Sequence, residues 1–217
     1  GKRKEWVETW AKEMPYRIVH RPPRVTKPFY AFPSAMNAGL MLARGELVHF
    51  MNDYVRLSPQ GLQRHWDIYR RWGPGVLISG PFKAMPGMPQ YPQRVPDDYV
   101  EKGLGEYTEL SFRHHWSAGV NDSAPLEKLL LANGFDERLD GDHGGSDDEL
   151  GMRLIRLGCR YLLDEMQPVF EYPHDPCKKY GKRKIDWGLL FVEAYNGRTW
   201  APNKFNLREE NQKLCVS

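Results

Sequence analysis

The residues best suited to chemistry lie together between positions 133 and 154, in the segment NGFDERLDGDHGGSDDELGMRL. Seven of them are acidic, namely Asp136, Glu137, Asp140, Asp142, Asp147, Asp148 and Glu149. The leucines at 150, 154 and 157 then recur at the i, i+4, i+7 spacing, which predicts a helix over residues 147–157 with one buried face. A carboxylate at the N-terminus of such a helix is held rigidly, and the helix end tends to keep it ionised. Beside glycines that let a ligand approach closely, it suits the role of general base for a hydroxyl group.

Part of this acidity has a structural explanation. Residues 146–149, SDDE, match a capping box, in which the Ser146 hydroxyl accepts a bond from a backbone amide and Glu149 reaches back to the helix start. Asp147 and Asp148 in the first turn also suit the positive end of the helix dipole. Because such a cap contributes about 1 kcal/mol, replacing Ser146 or Glu149 with Ala should lower stability only slightly. The cap leaves other positions of the segment unexplained, namely Asp140, Asp142 and the glycines at 141, 144 and 145.

The rest of the chain alternates between helical and strand-like periods, which predicts an α/β fold. Strands are predicted at 16–20, 46–51, 75–82 and 159–164. Helices are predicted at 4–14, 34–44 with Ser34 as N-cap, 58–72 opened by Ser58-Pro59, 125–131 and 147–157. We expect 46–51, 75–80 and 159–164 to share one mixed sheet with helices packed on it. Residues 83–108, rich in Pro, Gly and Met, are predicted to form a long loop of the kind that serves as a lid or binding segment.

Length and composition favour an ordinary globular protein. The 217 residues suit one domain, with 27% charged and 41% hydrophobic residues. The opening residues lack a signal-peptide pattern, and no apolar run approaches the about 18 residues of a membrane span. Three cysteines, an odd number without metal-site spacing, favour a reducing compartment, and we expect a cytoplasmic protein. The net charge of +3 is too small to argue for nucleic acid, although basic residues cluster at 1–4 and 177–184.

The acidic segment resembles the C-terminal signature of GT-A-fold glycosyltransferases. It is similar to the NGF…WGWGGEDDD…RL of the β-1,4-galactosyltransferases and the GFDE…G.EDxDLxxRL of the inverting family-two enzymes. Upstream, residues 34–59, SAMNAGLMLARGELVHFMNDYVRLSP, resemble the segment of that family that ends in an Asp-x-Asp motif. The resemblance covers roughly residues 35–60 and 117–175. It implies a GT-A-like mixed sheet flanked by helices, and transfer of a sugar from a nucleotide-sugar donor to a hydroxyl acceptor.

The resemblance also implies roles at the acceptor side. Asp147 matches the acid that deprotonates the acceptor hydroxyl, so Asp147→Asn should abolish most turnover and leave folding nearly unchanged. Ser146 stands where the family has an acceptor-binding Glu, and His143 replaces an aromatic residue that packs on the sugar. Asp142 and Asp148 complete the predicted acceptor-binding set.

At the donor side, Asn52, Asp53 and Tyr54 fall on the Asp-x-Asp motif, which in the family holds the metal and the nucleotide diphosphate. Here Asn replaces the first Asp, and Tyr replaces the usual metal ligand. His174 falls on a metal-binding His of the family, and Glu171 adds an oxygen ligand. This set implies Mn²⁺ or Mg²⁺, while a metal-independent variant would use basic residues to neutralise the leaving diphosphate. Those basic residues are Lys178, Lys179 and Arg183.

One structural unit of the GT-A family has no counterpart in this sequence. GT-A enzymes open with a strand–helix–strand unit that reads the nucleotide base, and from the resemblance we expect this chain to begin after that unit. We therefore expect an N-terminally abbreviated catalytic domain over 1–176, with a basic tail over 177–217 packed on or beside it. Three explanations for the missing unit remain open. The chain is a fragment, the fold is abbreviated, or another segment supplies the donor site. Two other functions also remain open, a binding module without turnover and a nucleic-acid-modifying glycosyltransferase.

Overall fold

A computed structural model describes the chain over residues 2–20, 29–84, 100–104, 106–110, 121–141, 145–166, 168–172, 185 and 187–215. The helices in these ranges are α1 (Lys2–Glu13), α2 (Phe32–Leu42), α3 (Gly61–Trp72), α4 (Leu126–Leu131), α5 (Ser146–Arg156), α6 (Trp187–Tyr195) and α7 (Leu207–Cys215). A 3₁₀ turn spans Glu137–Leu139. The strands are β1 (Leu47–Phe50), β2 (Val55–Arg56), β3 (Val76–Ser79), β4 (Phe82–Ala84), β5 (Val100–Gly103), β6 (Tyr107–Leu110), β7 (Asp122–Pro125), β8 (Arg160–Asp164) and β9 (Val169–Glu171). Each helix in the described part of the chain is too short or too polar to cross a membrane.

Six strands form one mixed sheet in the order β1-β7-β3-β8-β6-β5. Strands β3 and β8 pair in parallel, and the other neighbours are antiparallel. The three strands predicted at 46–51, 75–80 and 159–164 are β1, β3 and β8, so their place in one mixed sheet is confirmed. A smaller sheet has the order β2-β9-β4, and its strand β2 follows β1 in the chain.

The main sheet is covered on both faces, and strand β3 shows why. Successive side chains of a strand point to opposite faces. Val76 and Ile78 join a buried cluster with Ile68 of α3. Leu77, between them, belongs to a second cluster that includes residues of α2, α4, α5 and α7. Each of these buried aliphatic side chains contributes about 1.5–3 kcal/mol, so β3 is held from both sides.

A buried amide joins the two segments that carry the family resemblance. The Asn37 side chain of α2 donates from Nδ2 to the Phe135 carbonyl (2.9 Å) and accepts at Oδ1 from the Phe135 amide (2.8 Å). Gly134, at φ +67°, brings the backbone close enough for this exchange, and a Cβ there would lie 2.2 Å from Asn37 Oδ1. Only glycine fits this position, so the Asn-Gly-Phe sequence fixes the acidic segment against α2.

Two helices begin differently from the prediction. Helix α2 starts at Phe32 with Ala31 as N-cap and Pro33 in its first turn, where proline loses no hydrogen bond. Ser34 is therefore inside the helix rather than its cap. Helix α3 starts at Gly61, two residues after Pro59, because Gln60 takes a left-handed conformation with φ 67°.

Three further element predictions are wrong, at least in part. Residues 17–20 form no strand, and Tyr16 and Val19 are 62% and 48% exposed, so no neighbouring sheet buries them. The predicted loop 83–108 contains the end of β4, all of β5 and the start of β6, while 85–99 lie outside the described residues. The C-terminal tail, for which no helix was predicted, contains α6 and α7, and Leu207 of α7 is fully buried in the core.

Candidate active site

The start of α5 places Asp147 one residue inside the helix. The N-cap is Gly145, at φ 73°, which has no side chain to cap the helix. Ser146 is the first helical residue and is buried. The predicted capping box is therefore wrong, because the left-handed turn at Gly145 moves the helix start one position upstream of the position that the box requires.

Asp147 lines a cleft whose walls are mostly apolar. The cleft lies between the sheet, α2 and α5. The residues that line it are Asp122 and Asp147 together with Phe32, Phe50, Leu77, Phe135, Leu150, Gly151 and Leu154. Phe135 fixes one wall, since its ring packs edge-on against Phe32 (5.6 Å between centroids) and Phe50 (5.5 Å). Asp147 therefore sits in poorly hydrated surroundings.

These surroundings change the acidity of Asp147. Burial, with the nearby charge of Asp122, raises the pKa of Asp147 from 3.8 to about 6. Hydrogen bonds from the backbone amides of Asp147 and Asp148 lower the pKa, as expected at a helix N-terminus, but burial outweighs them. At neutral pH the carboxylate is still mostly ionised, and its pKa lies closer to the working pH than that of an ordinary Asp. Such a group is a more effective general base.

Asp122, which lines the cleft with Asp147, ends a chain of hydrogen bonds that was not predicted from the sequence. Asp122, 3% exposed, accepts a short hydrogen bond at Oδ1 from the Ser79 hydroxyl. The fully buried Tyr161 hydroxyl lies 2.9 Å from Ser79 Oγ. The one available sequence signal was a lone carboxylate opening a short apolar run, and it shows neither the strand pairing nor the partners.

Asp140, which the capping box left unexplained, serves α2. Its carboxylate accepts from the Ser34 backbone amide (3.1 Å) and from the Ser34 hydroxyl. Ser34 lies in the first turn of α2, where backbone amides have no partner within the helix. Asp140 thus satisfies the N-terminus of α2 from a distant segment.

Glu149 belongs to a buried ion pair rather than to a cap. Its carboxylate accepts from Arg153 Nε (2.7 Å) and Nη2 (2.8 Å), and from Arg198 Nη2 (2.8 Å). Both Glu149 and Arg153 are fully buried. Arg153 also donates to the carbonyls of Ala132 (2.7 Å) and Gly134 (2.8 Å). This network fixes α5 to the Asn-Gly-Phe corner.

Asp136 extends the same network. It binds Arg138 (2.8 Å) and Arg198 Nη1 (3.0 Å), and Glu193 of α6 binds both arginines. Burial alone would raise the pKa of Asp136, but the hydrogen bonds and charge of Arg138, with the charge of Arg198, lower it. Asp136, Asp140 and Glu149 are therefore structural acids, whereas Asp147 lines the cleft.

The predicted donor turn lies beside Glu171. Asn52 Nδ2 donates to the Tyr54 hydroxyl (2.7 Å), which closes the turn on itself and leaves Asp53 exposed. Tyr172 donates its amide to the Tyr54 carbonyl (2.8 Å), and Val55 pairs with Glu171 in the smaller sheet. The structure thus brings the Asn52–Tyr54 turn next to the end of β9.

The described residues do not complete that metal site. They contain no group of three or more His, Cys, Asp or Glu side chains able to hold a cation. Asp53 and Glu171 alone offer too few ligands for a divalent ion. Six predicted site residues lie outside the described residues, namely Asp142, His143, His174, Lys178, Lys179 and Arg183.

Comparison with known proteins bears on the fold. No protein-family model matches the chain. It is 26% identical over 170 residues to the validoxylamine A glucosyltransferase of Streptomyces hygroscopicus subsp. jinggangensis, a match covering 67% of this chain and 40% of that protein. It superposes on the S. aureus TarS 1-349 complex with UDP with a TM-score of 0.63 and 13% identity, covering 100% of this chain and 57% of that one. GalNAc-T7, crystallised with UDP, GalNAc and Mn²⁺, gives a TM-score of 0.61 and 13% identity, covering 90% and 39%. The chain has a GT-A glycosyltransferase fold.

The GT-A resemblance seen in the sequence is confirmed at the level of the fold. The chain spans about two fifths of the length of the validoxylamine A glucosyltransferases it matches. It also spans 59% of the TarS chain solved with UDP-GlcNAc. The GT-A fold described here therefore corresponds to part of these larger proteins.

Proposed function

We propose that the chain transfers a sugar from a nucleotide-sugar donor to an acceptor hydroxyl with inversion at the anomeric carbon. One observation carries the proposal, namely that Asp147, at the N-terminus of α5, lines a cleft that raises its pKa to about 6. A carboxyl group whose pKa is strongly raised and that lies in a cleft is typical of functional sites. The proposal is supported by the similarity to validoxylamine A glucosyltransferase and to TarS, which was crystallised with UDP-GlcNAc.

The proposed reaction is a single displacement. The Asp147 carboxylate accepts the proton of the acceptor hydroxyl while the acceptor oxygen attacks the anomeric carbon. The bond from that carbon to the diphosphate oxygen breaks on the opposite face, and its electron pair leaves with the nucleoside diphosphate. Ser146, Asp142, His143 and Asp148 are proposed acceptor contacts; of these, Ser146 is buried at the helix start, so we expect it to act mainly through its backbone.

Charge on the leaving diphosphate requires compensation. We propose that Asn52 and Tyr54 contact the donor, with Lys178, Lys179 and Arg183 as cationic partners. Mn²⁺ or Mg²⁺ bound by Asp53, Glu171 and His174 stays a prediction, because the described residues alone do not form the site.

A donor-hydrolysis screen tests the proposal without knowledge of the acceptor. The protein is incubated with a panel of UDP-, GDP- and dTDP-sugars, with and without Mn²⁺, and nucleotide release is measured against Asp147→Asn. We expect one donor class to be hydrolysed well above the variant. With an α-linked donor, proton NMR should show the β-anomer first, since water then replaces the acceptor with inversion. Release of the α-anomer first, or equal release by the variant, contradicts the proposal.

The pH dependence of turnover should follow the pKa of Asp147. The base works only when deprotonated, so kcat should rise about tenfold per pH unit below about pH 6 and level off above it. Initial rates measured between pH 4.5 and 8.5 check this expectation. A limb centred near pH 4, the value for an ordinary exposed Asp, would show that Asp147 is not the group that limits the rate.

A second function is favoured by one observation. The Asn52–Tyr54 hydrogen bond occupies the side chains that stand at the Asp-x-Asp positions, and a carbohydrate- or nucleotide-binding module needs no such metal motif. Calorimetry separates the two functions. Saturable binding of a nucleotide sugar with no hydrolysis by wild type or variant favours the binding module.

A further inference from the structure

Two acidic residues, Asp122 and Asp147, line the described part of the cleft, and the proposed reaction gives a role only to Asp147. Asp122 opens β7, where the register pairs it with Phe50 at the end of β1 and Ser79 at the end of β3. Its side chain and that of Asp147 line the same cleft. A buried acid placed beside a second acid is costly, since like charges in poorly hydrated surroundings repel each other.

The hydrogen bonds behind Asp122 have a direction. Ser79 donates its hydroxyl proton to Asp122 Oδ1, so the contact between Ser79 Oγ and the Tyr161 hydroxyl must take its proton from Tyr161. The chain therefore runs from Tyr161 through Ser79 and ends on the carboxylate. Donation to a carboxylate stabilises its ionised form, so the Ser79 hydroxyl favours the ionised form of Asp122.

Within the described ranges, Asp122 is the main charged neighbour of Asp147 from another element. Helix α5 itself contributes Asp148, whose amide donates to Asp147. Strand β8 contributes Tyr161, which stays neutral because burial raises its pKa well above its usual value. The other lining residues in the part of the chain that the structure describes, such as Phe32, Phe50 and Leu77, carry no charge.

We propose that Asp122 is a positioning residue for Asp147: a buried carboxylate, hydrogen-bonded to Ser79, that keeps Asp147 as the member of the pair that exchanges the proton. Pairs of carboxyl groups whose environments differ in this way divide into a fixed charge and a working acid or base. This inference rests on the proposed function only in calling Asp147 the base. The electrostatic coupling between the two acids stands on the geometry.

Carboxyl-carbon NMR tests the coupling directly and requires no turnover. In the wild-type protein, with ¹³C-labelled aspartate, the Asp122 signal should shift with an inflection at the titration midpoint of Asp147. In Asp122→Asn, which keeps the size and the Ser79 acceptor, the Asp147 midpoint should fall by about 0.5–1.5 pH units. Glu109→Gln is the matched control. It removes the same charge from β6, where Glu109 pairs with Arg160 (2.7 Å), and should leave the Asp147 midpoint in place.

Kinetics then connect the coupling to the reaction. In Asp122→Asn the acid limb of the kcat profile should move to lower pH by the same amount, and plateau kcat should fall about 3–10-fold with KM nearly unchanged, because the base has become weaker. An Asp147 midpoint that is unchanged, or that moves equally in Glu109→Gln, overturns the inference. If Asp122→Asn does not fold, the wild-type Asp122 signal decides, since the absence of an inflection overturns it equally. Absence of turnover with every donor would contradict the proposed function. The NMR result would still decide whether the two acids are coupled.

Discussion

Asp147→Asn should lose about 10²–10⁴-fold in turnover and yet be more stable than the wild-type protein at neutral pH. The loss follows from removal of the base. The gain follows from the raised pKa, since the folded protein binds the Asp147 proton more tightly than the unfolded chain between pH 3.8 and about 6. Ionisation of Asp147 therefore costs folding free energy that is absent below about pH 4 and complete above about pH 6. Asn carries no charge, so it should raise the free energy of unfolding by about 1–3 kcal/mol at pH 7.5.

Urea unfolding at pH 7.5 and pH 4, together with donor hydrolysis, checks both effects. The stability gain should shrink toward zero at pH 4. Asp67→Asn is the matched control, because Asp67 is an exposed acid of helix α3 and its replacement should change neither quantity much. A variant that loses stability at neutral pH, or that retains full turnover, would make Asp147 a structural acid. The expectation from the sequence alone, that folding would be nearly unchanged, omitted the burial of the carboxylate.

The main strands, and the position of Asp147 at the start of α5, were predictable because their signals are local. Apolar runs such as residues 76–79 identify a buried strand wherever it pairs, and leucines at helical spacing locate α5 within one residue of its observed start. The family resemblance then singled out Asp147. These features depend on neighbours within about ten positions along the chain.

The partners of the acids were not predictable because they come from distant segments. Asp140 binds Ser34, 106 positions away, and Glu149 binds Arg198, 49 positions away. Asp122 reaches the cleft only because β7 inserts between β1 and β3, an order that periodicity does not encode. A capping box explained Ser146 and Glu149 from local sequence alone, and it was wrong for both.

Glu149→Ala should lower the free energy of unfolding by about 3–5 kcal/mol, far more than the about 1 kcal/mol expected of a lost cap. The substitution leaves the Arg153 guanidinium, which has no solvent exposure, without its carboxylate partner. An unpaired buried charge costs more than the ion pair contributed, because the desolvation cost stays after the attraction is gone. Arg153 keeps its bonds to Ala132 and Gly134, so the loss falls on the α5 side of the network.

Urea unfolding at pH 7.5 measures the loss, with Glu210→Ala as the control. Glu210 also pairs with a cation within its helix, but Lys213 is 67% exposed, so that variant should stay within about 0.5 kcal/mol of wild type. A second variant, Glu149→Leu with Arg153→Met, removes both charges and should recover much of the stability lost in Glu149→Ala. Equal losses in Glu149→Ala and Glu210→Ala would show that burial of the pair contributes nothing. A large loss in the single variant with recovery in the double variant would show that Glu149 compensates the Arg153 charge, and so fixes the helix that carries the proposed base two residues away.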